Sequence, residues 1–239
     1  MVSERLYRRF YPDDRLSGTL AFYRWVRGAT TPRTQLLNVG AGPPTGDATR
    51  ILKGEVARVV GIDIDPVVLD NPEMDEAHVI RGDVFPIPDA SFDVAVADYV
   101  LEHVERPRIL LSEVHRVLLP GGSFFFRTPN RLHYVALISR LTSHRFHLRV
   151  ANRARGLPSE THDPWPTFYR MNSAGRLARE SQRAGFSTCE LLAWEGEPFY
   201  LRFHTVPFLI GVAYERLVNR WPRLARFRAN LLGRLVKGA

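Results

Sequence analysis

Two glycines and an acid about twenty residues further on are the residues of this sequence whose types and spacing point most clearly to ligand chemistry. An apolar run over residues 35–39 stops in a loop that carries Gly40 and Gly42, where a backbone without a Cβ atom can approach a ligand closely. The next apolar run, residues 59–62, ends in Asp63, whose carboxylate can accept both hydroxyls of a ribose. Loop and acid together predict a binding site for a cofactor that contains adenosine.

Three more motifs follow this pair in order along the chain. Gly82-Asp83-Val84 closes the next apolar segment, and a fourth apolar run, residues 92–98, leads into Tyr-Val-Leu-Glu-His-Val104. A helical stretch then ends at Leu118-Leu-Pro-Gly-Gly122, ahead of Ser-Phe-Phe-Phe-Arg127. Over about residues 36 to 129 this ordered set resembles the class I S-adenosylmethionine-dependent methyltransferases, in particular the broad group that acts on small molecules.

The resemblance implies which residues hold S-adenosylmethionine. Gly40, Ala41 and Gly42 would line the methionine end, Asp63 would hold the ribose and Ile64 would pack on the adenine. In the same way, the resemblance assigns the adenine edge to Asp83 and the Val84 amide, and the reacting centre to Asp98 and Tyr99. Two positions depart from the family pattern, since Asn38 stands where an acid is frequent and Pro44 where a third glycine is common.

A hydroxyl acceptor would also need a group that removes its proton, and three histidines are candidates for that base. His103 follows the fourth apolar run, which is the position nearest the transferred methyl group in the expected fold. His133 lies just past the predicted fifth strand, and His162 has Asp163 beside it in the sequence. A metal site built from His144, His147 and His162 has no supporting carboxylate cluster, and we predict no bound metal.

The elements that must position these residues alternate between strands and helices, which predicts an α/β fold with a mostly parallel sheet and ligands at the carboxyl ends of the strands. With the resemblance, the fold class is a Rossmann-like methyltransferase fold. We predict strands at 35–39, 58–63, 77–81, 92–97, 123–128 and 186–194. We predict one or two helices before residue 33, with Thr19 as a cap, and a short helix from Thr45 or Asp47 to Gly54. A further short helix begins at Pro66, and a longer one spans residues 107–119. His115 lies off the apolar stripe of this longer helix and is expected to face solvent. One helix from Asn172 or Ser173 to Ala184 and two in the tail, 207–218 and 222–236, complete the set.

The predicted domains are a helical leader over residues 1–33, a methyltransferase domain over 34–195 with an insertion at about 130–171, and a helical tail over 196–239. In the resembling family such an insertion often builds the acceptor pocket. In the second tail helix, four apolar residues lie on one face and basic residues elsewhere, which is a pattern of helices that lie on anionic membranes. Packing on the protein's own core or on a second subunit is the alternative.

Charge is distributed unevenly along the 239 residues, whose net charge is +8. Residues 1–130 carry 15 Lys or Arg against 18 Asp or Glu, whereas residues 200–239 carry 8 against 1. This asymmetry favours an anionic partner for the C-terminal half, with a solvated arginine-rich surface as the alternative. The single cysteine, Cys189, excludes an intramolecular disulfide and fits a reducing cytosol, and charges in the first ten residues argue against a secretory signal.

These observations predict a cytoplasmic methyltransferase that O-methylates a small or lipid-linked acceptor of sugar or isoprenoid type, with peripheral membrane contact left open. A nucleic-acid methyltransferase is the main enzymatic alternative, although the fourth strand lacks the Asn/Asp-Pro-Pro-aromatic motif of base-methylating enzymes and no proline precedes Cys189. An NAD-dependent oxidoreductase would leave Gly82-Asp83 and Leu119-Pro-Gly-Gly122 unexplained. The alternative outside enzymology is a cofactor-binding scaffold without turnover.

Overall fold

The structure is a computed structural model that describes residues 2–141 and 165–239. The chain forms two compact units. The first unit takes its described residues from Met1–Ala21, Pro129–Pro166 and Ala193–Asn230; the second is built from Phe22–Thr128, Thr167–Leu192 and Leu231–Ala239. This division differs from the predicted domain boundaries, which stay a prediction.

A seven-stranded sheet forms the centre of the second unit, with the strand order β3-β2-β1-β4-β5-β7-β6. The pairs β1–β2, β1–β4, β2–β3 and β4–β5 are parallel. The mostly parallel α/β sheet predicted from the sequence is therefore confirmed. The strands are β1 Gln35–Val39, β2 Arg58–Asp63, β3 Glu76–Val79, β4 Phe92–Asp98, β5 Leu118–Pro129, β6 Phe186–Trp194 and β7 Asn230–Lys237.

The strand predictions for β1, β2 and β6 match the observed bounds. Strand β3 begins one residue earlier and ends two residues earlier than predicted, and β5 is longer at both ends. The central strands are buried on both sides, as the continuous apolar runs indicated: Leu36, Leu37 and Val39 of β1 are almost fully buried, and so are residues 94–97 of β4. These strands deliver Gly40, Asp63 and Tyr99 just beyond or at their carboxyl ends.

Six α-helices lie within the described residues: α1 Glu4–Phe10, α2 Gly18–Arg27, α3 Pro107–Val117, α4 Tyr134–Leu141, α5 Ala174–Arg183 and α6 Thr205–Arg220. Short 3-10 helices occur at Asp14–Leu16, Pro66–Asp70, Leu101–His103, Phe199–Leu201 and Pro222–Phe227. Pro66 occupies the first turn of its helix as predicted, where a missing N–H costs nothing, and the Asp65 carboxylate accepts the Val67 amide. No helix in the described part of the chain is both long and apolar enough to cross a bilayer.

The helix predicted to start at Thr45 or Asp47 is wrong. Residues 40–57 contain neither an α-helix nor a strand. Gly46 has a positive φ of 64°, and the buried Glu73 carboxylate accepts the amides of Thr45 and Gly46, which a helix would direct along its own axis. Consequently no helix N-terminus adjoins the glycine loop.

The second tail helix, predicted over residues 222–236, is also wrong. Residues 230–237 form strand β7, between β5 and β6, and Leu231, Leu232 and Leu235 are buried there. A Cβ atom on Gly233 would lie 2.1 Å from the Phe126 ring, so this glycine lets the strand pass directly over an aromatic side chain of β5. Burial in the sheet overrides the helical spacing of the leucines, and the predicted basic amphipathic helix does not form.

Two local predictions also need correction. Helix α2 begins at Gly18, where the Ser17 hydroxyl, rather than that of Thr19, accepts the Leu20 amide. His115, which was expected to face solvent, packs its ring edge-on against Phe186 at 5.1 Å between centroids, and burial lowers the pKa of its imidazole. Its position at the end of α3 is therefore part of the packing between α3 and β6.

The first unit has a small core of its own. Val2, Tyr11, Phe208 and Val212 are buried together, and the partly buried side chains of α1 pack around them. Helix α6 thus buries one face, against α1 and the chain start.

Candidate active site

The loop after β1 is held in shape by the end of β2. Gly40 and Gly42 have φ angles of +72° and +54°, a region that favours glycine. The amides of Gly40 and Ala41 donate to the Ile62 carbonyl, and the Gly42 amide donates to the Asp63 carboxylate at 2.9 Å. The predicted loop and acid therefore lie in contact, as a site for adenosine requires.

Both oxygens of Asp63 already accept one hydrogen bond. Oδ2 accepts the Gly42 amide and Oδ1 accepts the Asp65 amide, each at 2.9 Å. A carboxylate oxygen has a second lone pair, so each can still accept a ribose hydroxyl. The same side chain that the resemblance assigns to the ribose thus also fixes the conformation of the glycine loop.

Two residues that the sequence reading missed anchor the loop from its other side. The Asn71 side chain donates to the Gly42 carbonyl at 2.9 Å, and Glu73 accepts from Thr45 and Gly46. Both are buried and follow the Pro66–Asp70 helix, about thirty residues after the loop they bind. Their only signal in the sequence was the helix-stopping Asn71-Pro72 with Glu73 directly after it.

The residues assigned to the adenine expose apolar surface. Ile64 is 58% exposed and Val84 is 63% exposed, which is unusual for such side chains and leaves both available to pack on a flat ring. The Asp83 carboxylate forms an ion pair with the Arg106 guanidinium. Asp83 can therefore accept a hydrogen bond from an adenine only with the lone pairs that are not already engaged by Arg106.

Asp98, expected at the reacting centre, lies in a buried ion pair with Arg127. The Arg127 Nε and Nη2 atoms donate to the two carboxylate oxygens at 2.7 Å, and Arg127 is only 2% exposed. Arg50 approaches the same carboxylate at 3.5 Å, and the buried Tyr23 hydroxyl hydrogen-bonds to it. Asp98 is thus a structural anion that holds a buried guanidinium, which the sequence reading did not predict.

Tyr99 follows Asp98 in a conformation that tyrosine rarely adopts. Its φ is +60°, its amide donates to the Arg127 carbonyl at 2.9 Å, and its ring lies under the Arg127 guanidinium at 4.5 Å. Such a backbone persists only where the surroundings enforce it, and it is frequent at ligand sites. The strain fits the expectation that Tyr99 faces the reacting centre.

Glu102 connects the turn after β4 to the chain segment that returns after residue 165. Its carbonyl accepts the amides of Phe168 and Tyr169, and its carboxylate accepts the Thr128 hydroxyl at 3.0 Å. Asn172 in turn donates to the Thr128 hydroxyl at 2.6 Å. Burial raises the pKa of the Glu102 carboxyl to about 7, so the acid titrates near neutrality.

The three histidines named as candidate bases differ in where they lie. His103 ends the Leu101–His103 helix directly after Glu102 and is partly exposed in the unit that holds the glycine loop. His133 belongs to the other unit, and His162 lies outside the described residues. Of the three, only His103 is described within the same unit as the predicted cofactor residues.

His133 is enclosed within the first unit. Its ring packs on Tyr134 and Tyr214, its Nε2 atom lies 3.7 Å from the Glu195 carboxylate, and burial lowers the pKa of the imidazole to about 4. Burial raises the pKa of Glu195 to about 8, although Ala229 donates its amide to the carboxyl group. A buried imidazole with so low a pKa is a weak base, and a catalytic role for His133 stays a prediction.

Comparison with known proteins agrees with this arrangement. A methyltransferase domain model matches residues 37–126, the stretch from β1 to β5 that carries the loop, Asp63, Asp98 and His103. The fold and this match show that residues 37–126 resemble a methyltransferase domain of the class I S-adenosylmethionine-dependent type. Among the residues that the structure describes, no cluster of three or more His, Cys, Asp or Glu could hold a metal ion.

Individual relatives extend the comparison without naming an acceptor. A probable S-adenosylmethionine-dependent methyltransferase of Mycolicibacterium smegmatis is 36% identical over 97 residues, which are 38% of this chain and 37% of that protein. A ubiquinone biosynthesis O-methyltransferase of Aromatoleum aromaticum is 26% identical over 184 residues, 73% of each chain. The match with the Mycolicibacterium smegmatis protein thus covers well under half of that protein's length.

One solved structure shares the fold. It is a complex between the Haloferax volcanii Trm112 methyltransferase activator and a methyltransferase, and the match has a TM-score of 0.60 at 18% identity. It covers 99% of this chain and 96% of that one. At this identity the likeness supports the fold alone.

Proposed function

We propose that this protein transfers the methyl group of S-adenosylmethionine to a hydroxyl group of a small or lipid-linked acceptor. The observation that carries the proposal is the Gly40–Gly42 loop held against the Asp63 carboxylate, within the stretch that matches a methyltransferase domain. The expected cofactor residues of this stretch lie at the ends of β1, β2 and β4 or in the loop after β3. This is where ligands bind parallel α/β sheets.

The residues present fit this cofactor. Open space above Gly42, where the nearest atom to an added Cβ would be an Asp63 oxygen at 3.9 Å, leaves the loop backbone accessible. Asp63 would hold the ribose with its remaining lone pairs, and Ile64 and Val84 would flank the adenine. When bound, S-adenosylmethionine supplies an already activated methyl group, so the protein has to supply alignment, exclusion of water and proton removal.

The Asp98–Arg127 pair limits which group can act as a base. Both Asp98 oxygens accept from Arg127, so the carboxylate is already engaged by the guanidinium. Its contribution is to hold Arg127 over the Tyr99 ring and thereby to fix the strained turn. Tyr99 is then placed to shape the surface against which the acceptor is aligned.

His103 is the best candidate to take the proton of the acceptor hydroxyl. It lies four residues beyond Tyr99, in the turn that Glu102 anchors to Thr128 and to the returning segment at Phe168. In this proposal Glu102 is a positioning residue and His103 the base. His133 and His162 remain the alternatives that the sequence raised.

An acceptor on an isoprenoid or other lipid is supported by the relative named for ubiquinone biosynthesis, which is an O-methyltransferase. The basic C-terminal half would suit an acceptor that carries phosphate. A sugar hydroxyl fits the same chemistry. We place a lipid-linked acceptor first.

Calorimetric titration tests the cofactor half of the proposal. We expect wild-type protein to bind S-adenosylmethionine and S-adenosylhomocysteine but not NAD, and Asp63→Asn to weaken binding at least about tenfold, because one carboxylate oxygen becomes a donor that faces the Gly42 amide. Asp65→Asn is the matched control, since it removes the same charge two residues away and asparagine caps a helix equally well. Binding of NAD alone, or equal binding by both variants, would contradict the proposed site.

Transfer of a tritiated methyl group tests the reaction. We expect label from S-adenosylmethionine in the organic phase when a bacterial lipid extract is the acceptor, and His103→Gln to lower the rate while cofactor affinity stays unchanged. Label in RNA or DNA instead would favour the nucleic-acid alternative. Cofactor binding without transfer to lipid, sugar or nucleic acid would favour the scaffold alternative.

A further inference from the structure

Helix α6 has an exposed apolar face opposite to the face it buries. Phe208, Val212 and Val218 point into the first unit, whereas the side chains at positions i, i+3, i+4, i+7 and i+11 are exposed. Ile210, for example, is 64% exposed to solvent. The members of this exposed face of α6 are Val206, Leu209, Ile210, Ala213 and Leu217.

Exposed aromatic side chains flank this face in sequence at both ends. Phe199, Tyr200 and Phe203 precede the helix and Trp221 follows it directly. Phenylalanine, tyrosine and tryptophan are the side chains that proteins place where an apolar phase meets water. Single exposed apolar residues are ordinary, but a run of this kind over residues 199–221 marks a contact surface.

The charges around the exposed face are almost all positive. Within the first unit, residues 200–230 contain six arginines and one acid, Glu215, and Glu215 is only 2% exposed because it lies on the buried side of α6. Arg216 and Arg220 are exposed on the helix itself. On α1 of the same unit, Glu4 forms ion pairs with Arg8 and Arg202.

We propose that the exposed face of α6, with its flanking aromatic residues, binds the surface of a membrane that contains anionic lipids. Apolar side chains would enter the boundary between headgroups and acyl chains, and Arg216 and Arg220 would meet phosphate groups, as in helices that lie in the interface plane. A second copy of the chain fits less well, because a two-fold contact through this face would bring the same arginines near each other. The inference does not depend on methyl transfer, but it would place the enzyme beside a lipid-linked acceptor.

Vesicle co-sedimentation with the full chain tests this inference. We expect binding to vesicles of phosphatidylcholine mixed with phosphatidylglycerol, weaker binding to phosphatidylcholine alone, and a decrease in binding as salt is raised. The double substitution Leu209→Asp with Ile210→Asp should lower partitioning by at least about tenfold, because two apolar side chains are lost from the contact. Leu209→Ser with Ile210→Ser removes the same apolar groups without adding charge and should act in the same direction.

A control of matched chemistry is Leu192→Asp, since Leu192 is 53% exposed but lies on β6 in the other unit. It should bind vesicles like the wild type, and circular dichroism should show that all variants melt as folded proteins. Failure of the wild type to bind anionic vesicles would overturn the proposal, as would equal binding by the α6 variants. A dimer in sedimentation equilibrium that the same substitutions dissociate, without vesicle binding, would assign the face to self-association instead.

Discussion

Asp98 and Arg127 are charged residues whose side chains are both buried. Two full charges lie away from water on neighbouring parallel strands, and their bidentate geometry compensates for the lost hydration. A pair of this kind adds little net stability compared with apolar residues, but removing one partner leaves the other charge buried. The pair therefore acts mainly to fix one arrangement of the turn at Tyr99.

Asp98→Asn tests that reasoning by removing the anion while keeping the shape of the side chain. We expect the free energy of unfolding to fall by about 3–5 kcal/mol, because the buried Arg127 guanidinium loses its carboxylate. Urea denaturation followed by circular dichroism measures this loss. Asp93→Asn is a comparison on the same strand, where the carboxylate accepts only the Gln35 amide among the bonds described; it should cost clearly less. Equal costs would contradict a special role for the buried pair.

At this scale the sequence predicted those residues whose role follows from their place at a strand end. Gly40, Gly42 and Asp63 were named on that basis, and in the structure the Gly42 amide donates to the Asp63 carboxylate while the Gly40 amide donates to the neighbouring Ile62 carbonyl. Arg127, Asn172 and Glu73 were missed because their partners are nearly thirty or more residues away, so that only the folded chain brings them together. An arginine next to three phenylalanines in a strand was the one available sign, since such a charge must find a partner.

In the turn from β1 into the glycine loop, the backbone lies close against a neighbouring side chain. A Cβ atom at Gly40 would lie 2.4 Å from Val100 Cγ2, whereas at Gly42 the nearest atom would be 3.9 Å away. Both glycines have positive φ angles, so alanine is strained at either position. The loop of β1 thus depends on Gly40 for space and on both glycines for conformation.

Substitution of each glycine by alanine separates the need for space at Gly40 from the need for a positive φ at both glycines. We expect Gly42→Ala to cost about 1–2 kcal/mol of unfolding free energy from backbone strain alone. Gly40→Ala should cost at least about 1 kcal/mol more because the Val100 side chain must move. Thermal and urea unfolding measure both variants, and Val100→Ala in the Gly40→Ala background should recover part of the excess. If Gly42→Ala proved the more damaging to stability, the steric argument would be wrong.

Helices and strands were predicted correctly where the segment's own residues determine its structure. The prediction failed where contacts with a distant part of the chain determine it. Strands β1 and β2 were predicted from continuous apolar runs, and burial on both faces is the cause of those runs. The segment that forms β7 has leucines at helical spacing, yet it completes a sheet whose other strands lie up to about two hundred residues earlier. Likewise the distant Glu73 holds the segment after the glycine loop through bonds that no local pattern shows.

For the whole molecule, the dependence of stability on pH combines buried groups of opposite sign. His133 has a folded pKa of about 4 against 6.5, so folding releases its proton and stability rises with pH between those values. Glu195 has a folded pKa of about 8 against 4.5, so the folded state retains a proton and stability falls as pH rises through that range. The effects of His133 and Glu195 on stability oppose each other up to about pH 6.5. Above that pH, of these two only the destabilising effect of Glu195 remains.

The wild-type protein should therefore lose stability between pH 6.5 and pH 8, and Glu195 should cause most of the loss. One proton over this interval corresponds to about 2 kcal/mol, and Glu102, with a folded pKa of about 7, adds a smaller part at its lower end. Glu195→Gln keeps an acceptor for the Ala229 amide and cannot ionise beside Glu215, so its stability should change much less over the same interval. Urea denaturation at pH 6.5, 7.2 and 8 measures both proteins. Parallel losses in wild type and variant would show that the burial of Glu195 does not govern stability in this range.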